Sequence, residues 1–194
     1  MDVYILLDRS GSMSTLWNEA IGSINGYVEK LDPEDKVHFA VFDSVSHDLV
    51  QAARAKDWKK VDEKSIDPRG GTPLYDSCGQ IMTLAETMNT EKTLLVVMTD
   101  GYENASHEHT QASIKAKVKA WEDRKWEVVF LGANFDDVAS VSNSVGVVGS
   151  KTMNYTAGNF MRGMDTLAVA STMYASAGTA INFTEEQKQT VAQK

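Results

Sequence analysis

Apolar residues along this chain switch between two periods. Residues 3–7 form an unbroken apolar run, the pattern of a strand buried on both faces. Between Leu16 and Leu31, the residues Trp17, Ala20, Ile21, Ile24, Tyr27, Val28 and Leu31 recur at helical spacing, and Asp32-Pro33 stops the helix. Residues 37–43 read as the next strand, with a short hairpin partner over about 46–50 that supplies an antiparallel edge. Residues 51–69 are polar and irregular. Thr72-Pro73 then predicts an N-cap and first helical position for a helix reaching about Met88 through Leu74, Cys78, Ile81, Met82 and Ala85. Residues 93–99 are a second fully apolar strand. Beyond it the pattern predicts a helix over 109–124, a strand over 127–131, a short helix over 135–142 and a weak strand near Val147-Val148. A longer helix rich in small residues and Met covers 157–176, and the capping-box pattern Thr184-Glu185-Glu186-Gln187 opens a terminal helix.

This alternation predicts an α/β fold: a doubly wound, mostly parallel, Rossmann-like sheet with one antiparallel edge strand and helices on both faces. The chain divides into one domain over 1–180 and a C-terminal helical appendage over 181–194. In such sheets ligands bind in the crevice beyond the carboxyl ends of the strands. Asp8 and Asp100 both stand at such ends, and they meet if their strands are neighbours.

Composition narrows the function. Asp and Glu number 27 against 19 Lys and Arg, which speaks against a nucleic-acid footprint and a polybasic membrane patch. No long uninterrupted apolar stretch exists, so no membrane insertion is expected. The one cysteine, Cys78, reads as a small core residue, allows no intrachain disulfide and fits a reducing compartment. The first strand follows almost directly on Met1 without a charged leader region, so a cytoplasmic location is expected, a virion being compatible.

Three loops carry the candidate chemistry. They are Asp8-Arg9-Ser10-Gly11-Ser12, Gly70-Gly71-Thr72-Pro73 and Thr99-Asp100-Gly101. Two carboxylates with three hydroxyls make a hard-oxygen set suited to Mg²⁺ or a similar divalent ion. Zn²⁺ is disfavoured, because the set holds no Cys or His. The competing reading is ordinary capping of free N–H groups by Ser and Asp, which requires three loops to imitate the pattern together. His107-Glu108-His109 reads as a polar loop capping the next helix rather than a second metal site. The chain has no G-x-x-x-x-G-K-[ST] loop, and no G-x-G-x-x-G follows the first strand.

Asp8-Arg9-Ser10-Gly11-Ser12 resembles the D-x-S-x-S motif of the von Willebrand factor type A domain, with Thr72 and Asp100 matching that family's second and third elements. Motif and element order agree over roughly residues 2–150. In that family these five residues form the metal-ion-dependent adhesion site. The resemblance implies that Ser10 and Ser12 ligate the ion directly and that Thr72 binds directly or through water. It implies that Asp8 and Asp100 act through waters or by hydrogen-bonding the hydroxyl ligands. Mg²⁺ is the implied ion, with Mn²⁺ or Ca²⁺ as alternatives, and an Asp or Glu carboxylate from a protein partner completes its shell. The implied function is a metal-dependent, adhesion-type protein-interaction module and not an enzyme. In some members ligand binding is coupled to movement of the last helix.

The chain looks most like the compact bacterial and phage members, similar to the tellurite-resistance-associated group. Arg9, Trp17, Tyr75 and Glu103 are candidates for the partner-binding rim. A salt bridge serves equally for Arg9, and core packing equally for Trp17 and Tyr75. Met153, Met161, Met164 and Met173 read as core filling. Two alternative functions stand beside the first: a structural component of a phage particle or secretion-type machine whose ion pins three loops, and, less favoured, Mg²⁺-dependent phosphoryl transfer.

Overall fold

Strands and helices alternate along the chain as the apolar pattern predicts. The structure, a computed structural model, describes residues 1–192. In chain order the elements are β1 (Asp2–Asp8), α1 (Trp17–Val28), β2 (Lys36–Phe42), β3 (His47–Arg54), α2 (Leu74–Met88), β4 (Thr93–Thr99), α3 (Gln111–Asp123), β5 (Glu127–Ala133), α4 (Val138–Ser144), β6 (Thr152–Tyr155), α5 (Phe160–Ala177) and α6 (Glu185–Ala192). They build one six-stranded sheet in the order β3-β2-β1-β4-β5-β6. β3 runs antiparallel to β2, and the other pairs are parallel.

The chain steps outward from β1 to β2 and β3, then returns to place β4 on the opposite side of β1. This reversal opens a crevice between the carboxyl ends of β1 and β4, the switch point where open α/β sheets place ligands. Leu7 pairs with Met98 in the ladder, so Asp8 and Thr99 end the two central strands side by side.

β1 is buried along its whole length because helices cover both faces. Val3, Ile5 and Leu7 join the core under α1 and α5, whereas Tyr4 and Leu6 join the core under α2, α3 and α4. Burying one such aliphatic side chain stabilises by about 2 kcal/mol. A one-residue slip of β1 would send Asp2 and Asp8 to the other face with every apolar side chain, so the register at the crevice is firmly set. Ile181, Phe183 and Val191 are buried in the α1-side core, and the Thr156 N–H donates to the Val191 carbonyl at 3.2 Å. The last two residues of the expected appendage lie outside the described residues.

Several local expectations are corrected. The hairpin partner extends to Arg54, and its register shifts between Phe39 and Ala40. No strand forms at Val147-Val148; Val147 fills the core from a loop, Val148 is exposed, and the strand is β6, further on. Thr72 does not cap α2: Pro73 takes the N-cap position without a side-chain bond, and the Thr72 hydroxyl faces Asp8 instead. α4 starts three residues late, where the Asp137 side chain accepts the Ser140 N–H. α5 starts after Gly158, whose φ of 90° breaks any helix. Met153 and Met164 fill core space, but Met161 and Met173 are exposed. The Thr184 capping box forms as its pattern predicts, with reciprocal bonds to Gln187 of 3.2 and 2.8 Å.

Candidate metal centre

The sheet brings all five motif residues together. Asp8 ends β1 and is fully buried; its Oδ1 accepts the Ser10 N–H at 2.6 Å and its Oδ2 accepts the Thr99 hydroxyl at 2.6 Å. The Thr72 hydroxyl reaches the same Oδ2 at 3.4 Å. Ser10 Oγ lies 3.1 Å from Ser12 Oγ, and Ser12 donates to Asp100 Oδ1 at 2.6 Å. Two carboxylates and three hydroxyls from three loops thus form one continuous chain of contacts. The loops are tied through backbone as well, since the Gly11 N–H donates to the Gly70 carbonyl at 3.2 Å. Gly101 closes over the site: a Cβ there would lie 2.6 Å from Thr72 Oγ1 and 3.3 Å from Asp8 Oδ2.

Burial pushes the Asp8 carboxyl up to about 6, although hydrogen bonds from Thr99 and Ser10 pull it down and Asp100 adds repulsion. Burial raises Asp100 as well, against the Ser12 hydrogen bond. Among the described residues neither carboxylate takes part in an ion pair, because the adjacent Arg9 is committed elsewhere. A buried carboxylate beside a second, partly exposed one, with no countercharge, is costly, and a cation relieves that cost. The donor set fits a hard divalent ion that prefers oxygen. Among the described residues no three His, Cys, Asp or Glu side chains gather into a metal-holding group, so the candidate centre rests on its hydroxyls beside the two carboxylates.

The rim residues have diverse surroundings. Arg9 is buried and donates to Asp43 at 2.6 Å, to Asp48 at 2.7 Å and to Ser46. Burial pushes the Asp43 carboxyl up, but Arg69, two backbone N–H groups and Arg9 together hold it below the usual carboxylate range. Trp17 is buried, and its indole N–H donates to the Glu63 carbonyl at 3.0 Å. Tyr75 is half-buried in the first turn of α2, and its N–H donates to Glu103 at 2.9 Å. Glu103 also accepts from the Ala105 and Ser106 N–H groups and from the Ser106 hydroxyl.

The contact of the Thr99 hydroxyl with Asp8 is not part of the sequence reading. Thr99 closes an apolar run, and a hydroxyl immediately before Asp100 is a signal in retrospect. Tyr102 is exposed and packs edge-on against Phe135, with ring centroids 5.2 Å apart. Cys78 is buried, and burial with the nearby Glu103 charge pushes its thiol up to about 12. It is therefore an inert core residue.

A mostly parallel six-stranded sheet with a hydroxyl-rich oxygen cluster at its central switch point belongs to the doubly wound α/β class. The sequence model of the von Willebrand factor type A domain matches residues 2–169, and the chain belongs to that family. No curated protein matches it. Among solved structures it is similar to a von Willebrand factor type A protein from Catenulispora acidiphila, with 13% identity and a TM-score of 0.67 over 88% of this chain and 42% of that one. It is similar to the von Willebrand factor domain of a type V pilus tip protein from Porphyromonas gingivalis, with 13% identity and a TM-score of 0.69 over 92% of this chain and 97% of that one. A third is a proximal thread matrix protein of the mussel byssus with a zinc-occupied metal-ion-dependent adhesion motif, at 14% identity and a TM-score of 0.63 over 86% of this chain and 44% of that one. The chain spans less than half the length of the first and third of these.

Proposed function

We propose that this domain is a divalent-metal-dependent protein-interaction module. Asp8, Ser10, Ser12, Thr72 and Asp100 hold the ion, Mg²⁺ foremost with Mn²⁺ or Ca²⁺ as alternatives. The partner is a protein that presents an Asp or Glu carboxylate. The observation that carries this reading is the convergence of three hydroxyls on two uncompensated carboxylates at the switch point. When bound, the ion supplies an electrophilic position that an incoming carboxylate can fill. The protein's own part is to fix the hydroxyl positions and to keep Asp8 out of water. The mussel protein's structure is named for zinc in its metal-ion-dependent adhesion motif, so zinc belongs among the ions tested.

The reading is non-enzymatic. Both oxygens of Asp8 already accept hydrogen bonds, which argues against the free carboxylate nucleophile that phosphoryl transfer asks for. The assembly reading draws support from the pilus tip and thread matrix neighbours, whose names place them in built structures. A cytoplasmic or virion setting and a bacterial or phage source belong to the same proposal. Among the described residues no helix is long and apolar enough to cross a membrane.

Calorimetric titration of Mg²⁺, Mn²⁺ and Zn²⁺ into EDTA-treated protein, beside Asp8→Ala, tests the metal. Stoichiometric binding that disappears in the variant supports the reading. No binding by the wild type to any of the three ions, nor to Ca²⁺ titrated in the same way, rejects metal dependence. Partner capture that survives EDTA rejects the carboxylate bridge.

A further inference from the structure

We propose that Asp76 and Glu103 are positioning residues, forming a reciprocal carboxylate clamp that holds the Thr72 and Asp100 loops of the candidate centre in register. The inference rests on the metal-binding reading and extends it to residues outside the five-residue motif.

The problem the clamp addresses lies in the topology. Asp100 opens an irregular segment of about ten residues before α3, and Thr72 ends another irregular segment just before α2. Segments of this kind are mobile unless their backbone is tied down. An octahedral ion tolerates little misplacement of its donors. Something must therefore fix the two loops against each other.

Three side chains do so. Glu103, in the Asp100 loop, accepts the Tyr75 N–H at the start of α2 and folds its own loop by accepting from Ala105 and Ser106. Asp76, in the first turn of α2, reaches in the opposite direction. Its carboxylate accepts the N–H groups of His107, Glu108 and His109 at 2.7, 3.0 and 2.6 Å. The Asp76 N–H completes the exchange by donating to the Ser106 hydroxyl at 3.1 Å. Asn104 binds the metal-site residue itself: its Oδ1 accepts the Thr72 N–H at 2.9 Å and its N–H donates to the Thr72 carbonyl at 3.1 Å.

The choice of partners separates positioning from ordinary capping. A capping carboxylate bonds the free N–H groups of its own helix. Asp76 spends its acceptors on a loop 31 to 33 residues away. The three bonded N–H groups belong to His107-Glu108-His109, so that segment supplies the clamp with backbone donors. Neither Asp76 nor Glu103 hydrogen-bonds a side chain of the five candidate ligands, so each acts through the loop it holds.

The test is Mn²⁺ calorimetry on EDTA-treated full chain, together with hydrogen exchange of the amides of residues 107–109. Ser106→Ala cuts two clamp bonds without changing charge, and Asp76→Ala cuts the three bonds to the 107–109 amides. Asp136→Asn, an exposed carboxylate at the same end of the sheet, controls for net charge. Loss of groups that support a metal site from behind typically weakens metal affinity by about 10–100-fold. That range is expected for Asp76→Ala, with a smaller loss for Ser106→Ala, faster exchange in both, and no change for Asp136→Asn. Wild-type affinity in both clamp variants, with loosened amides, overturns the inference and leaves the metal reading standing. If Asp76→Ala does not fold, Ser106→Ala decides alone. If the wild type binds no Mn²⁺, the same comparison is made with Mg²⁺, and a wild type that binds neither removes the metal reading and the inference with it.

Discussion

Thr99 donates its hydroxyl to Asp8 Oδ2 at 2.6 Å, and the same hydroxyl accepts the Gly101 N–H at 3.0 Å. One side chain thus joins the ends of the two central strands and shapes the turn that carries Asp100. Thr99→Val keeps the shape and removes both bonds. Leaving buried groups unsatisfied costs about 1–3 kcal/mol. The expected result is a stability loss in that range by urea unfolding and weaker Mg²⁺ binding, with Thr99→Ser close to wild type. Equal behaviour of the Val and Ser variants would show that the hydroxyl is dispensable.

How much of this was legible in the sequence depends on burial. β1 and β4 are apolar at almost every position because helices cover both their faces, and each run ends on the polar residue that marks the site. β6 was misread because Thr152-Met153-Asn154-Tyr155 alternates too weakly, while the more apolar Val147-Val148 serves the core from a loop. The five candidate ligands were readable because their spacing is local within each loop. The surroundings of Arg9 and Glu103 were not, because their partners come from distant segments: Asp43 for Arg9, and Tyr75 for Glu103. Thr72 looked like a helix cap because cap and ligand use the same hydroxyl, and only the tertiary position of Asp8 decides between them.

The Asp8 carboxyl sets a pH dependence that runs opposite to ordinary acid denaturation. In the fold it holds its proton up to about 6, above the ordinary carboxylate value. Below the unfolded value both states are protonated, and the group contributes nothing. As pH rises from the unfolded value to the folded one, the unfolded chain ionises first, and the metal-free protein loses stability until the folded group ionises as well. A shift of this size corresponds to a few kcal/mol, roughly 1.4 for each unit. Asp8→Asn removes that loss along with the ion's anchor. In EDTA at about pH 8 the variant is expected to melt above the wild type, with the gap closing toward about pH 4. Melting curves at both pH values check this, and a variant less stable than wild type at the higher pH refutes it.

Arg9 contributes through its buried pairing. The Asp43 side chain is fully buried, and Arg9 and Arg69 both donate to its Oδ2, at 2.6 and 2.9 Å. Removing one partner of a buried pair typically costs about 3–5 kcal/mol. Because half-exposed Arg69 remains, Arg9→Met is expected near the lower end, about 3 kcal/mol by urea unfolding. A loss below about 1 kcal/mol would mean that Arg69 and the backbone donors alone satisfy Asp43.

Gly101 separates steric from backbone effects at the centre. It does not occupy the left-handed region, so alanine meets no conformational penalty there. Its Cβ would instead lie 2.6 Å from Thr72 Oγ1, a distance that forces the hydroxyl away. Overpacking of this kind costs about 1–3 kcal/mol. Gly101→Ala is therefore expected to lose stability in that range and to bind Mg²⁺ more weakly, with the far-UV spectrum unchanged. The double variant Gly101→Ala/Thr72→Ala makes the argument specific. Removing the Thr72 hydroxyl relieves the clash, so the double variant should be more stable than the two single losses add up to, by about 0.5–3 kcal/mol of coupling. Metal affinity should not recover with it, because a ligand hydroxyl has gone. Additive stability losses would show that Gly101 is constrained by contacts other than Thr72. Recovered affinity would remove Thr72 from the set that holds the ion.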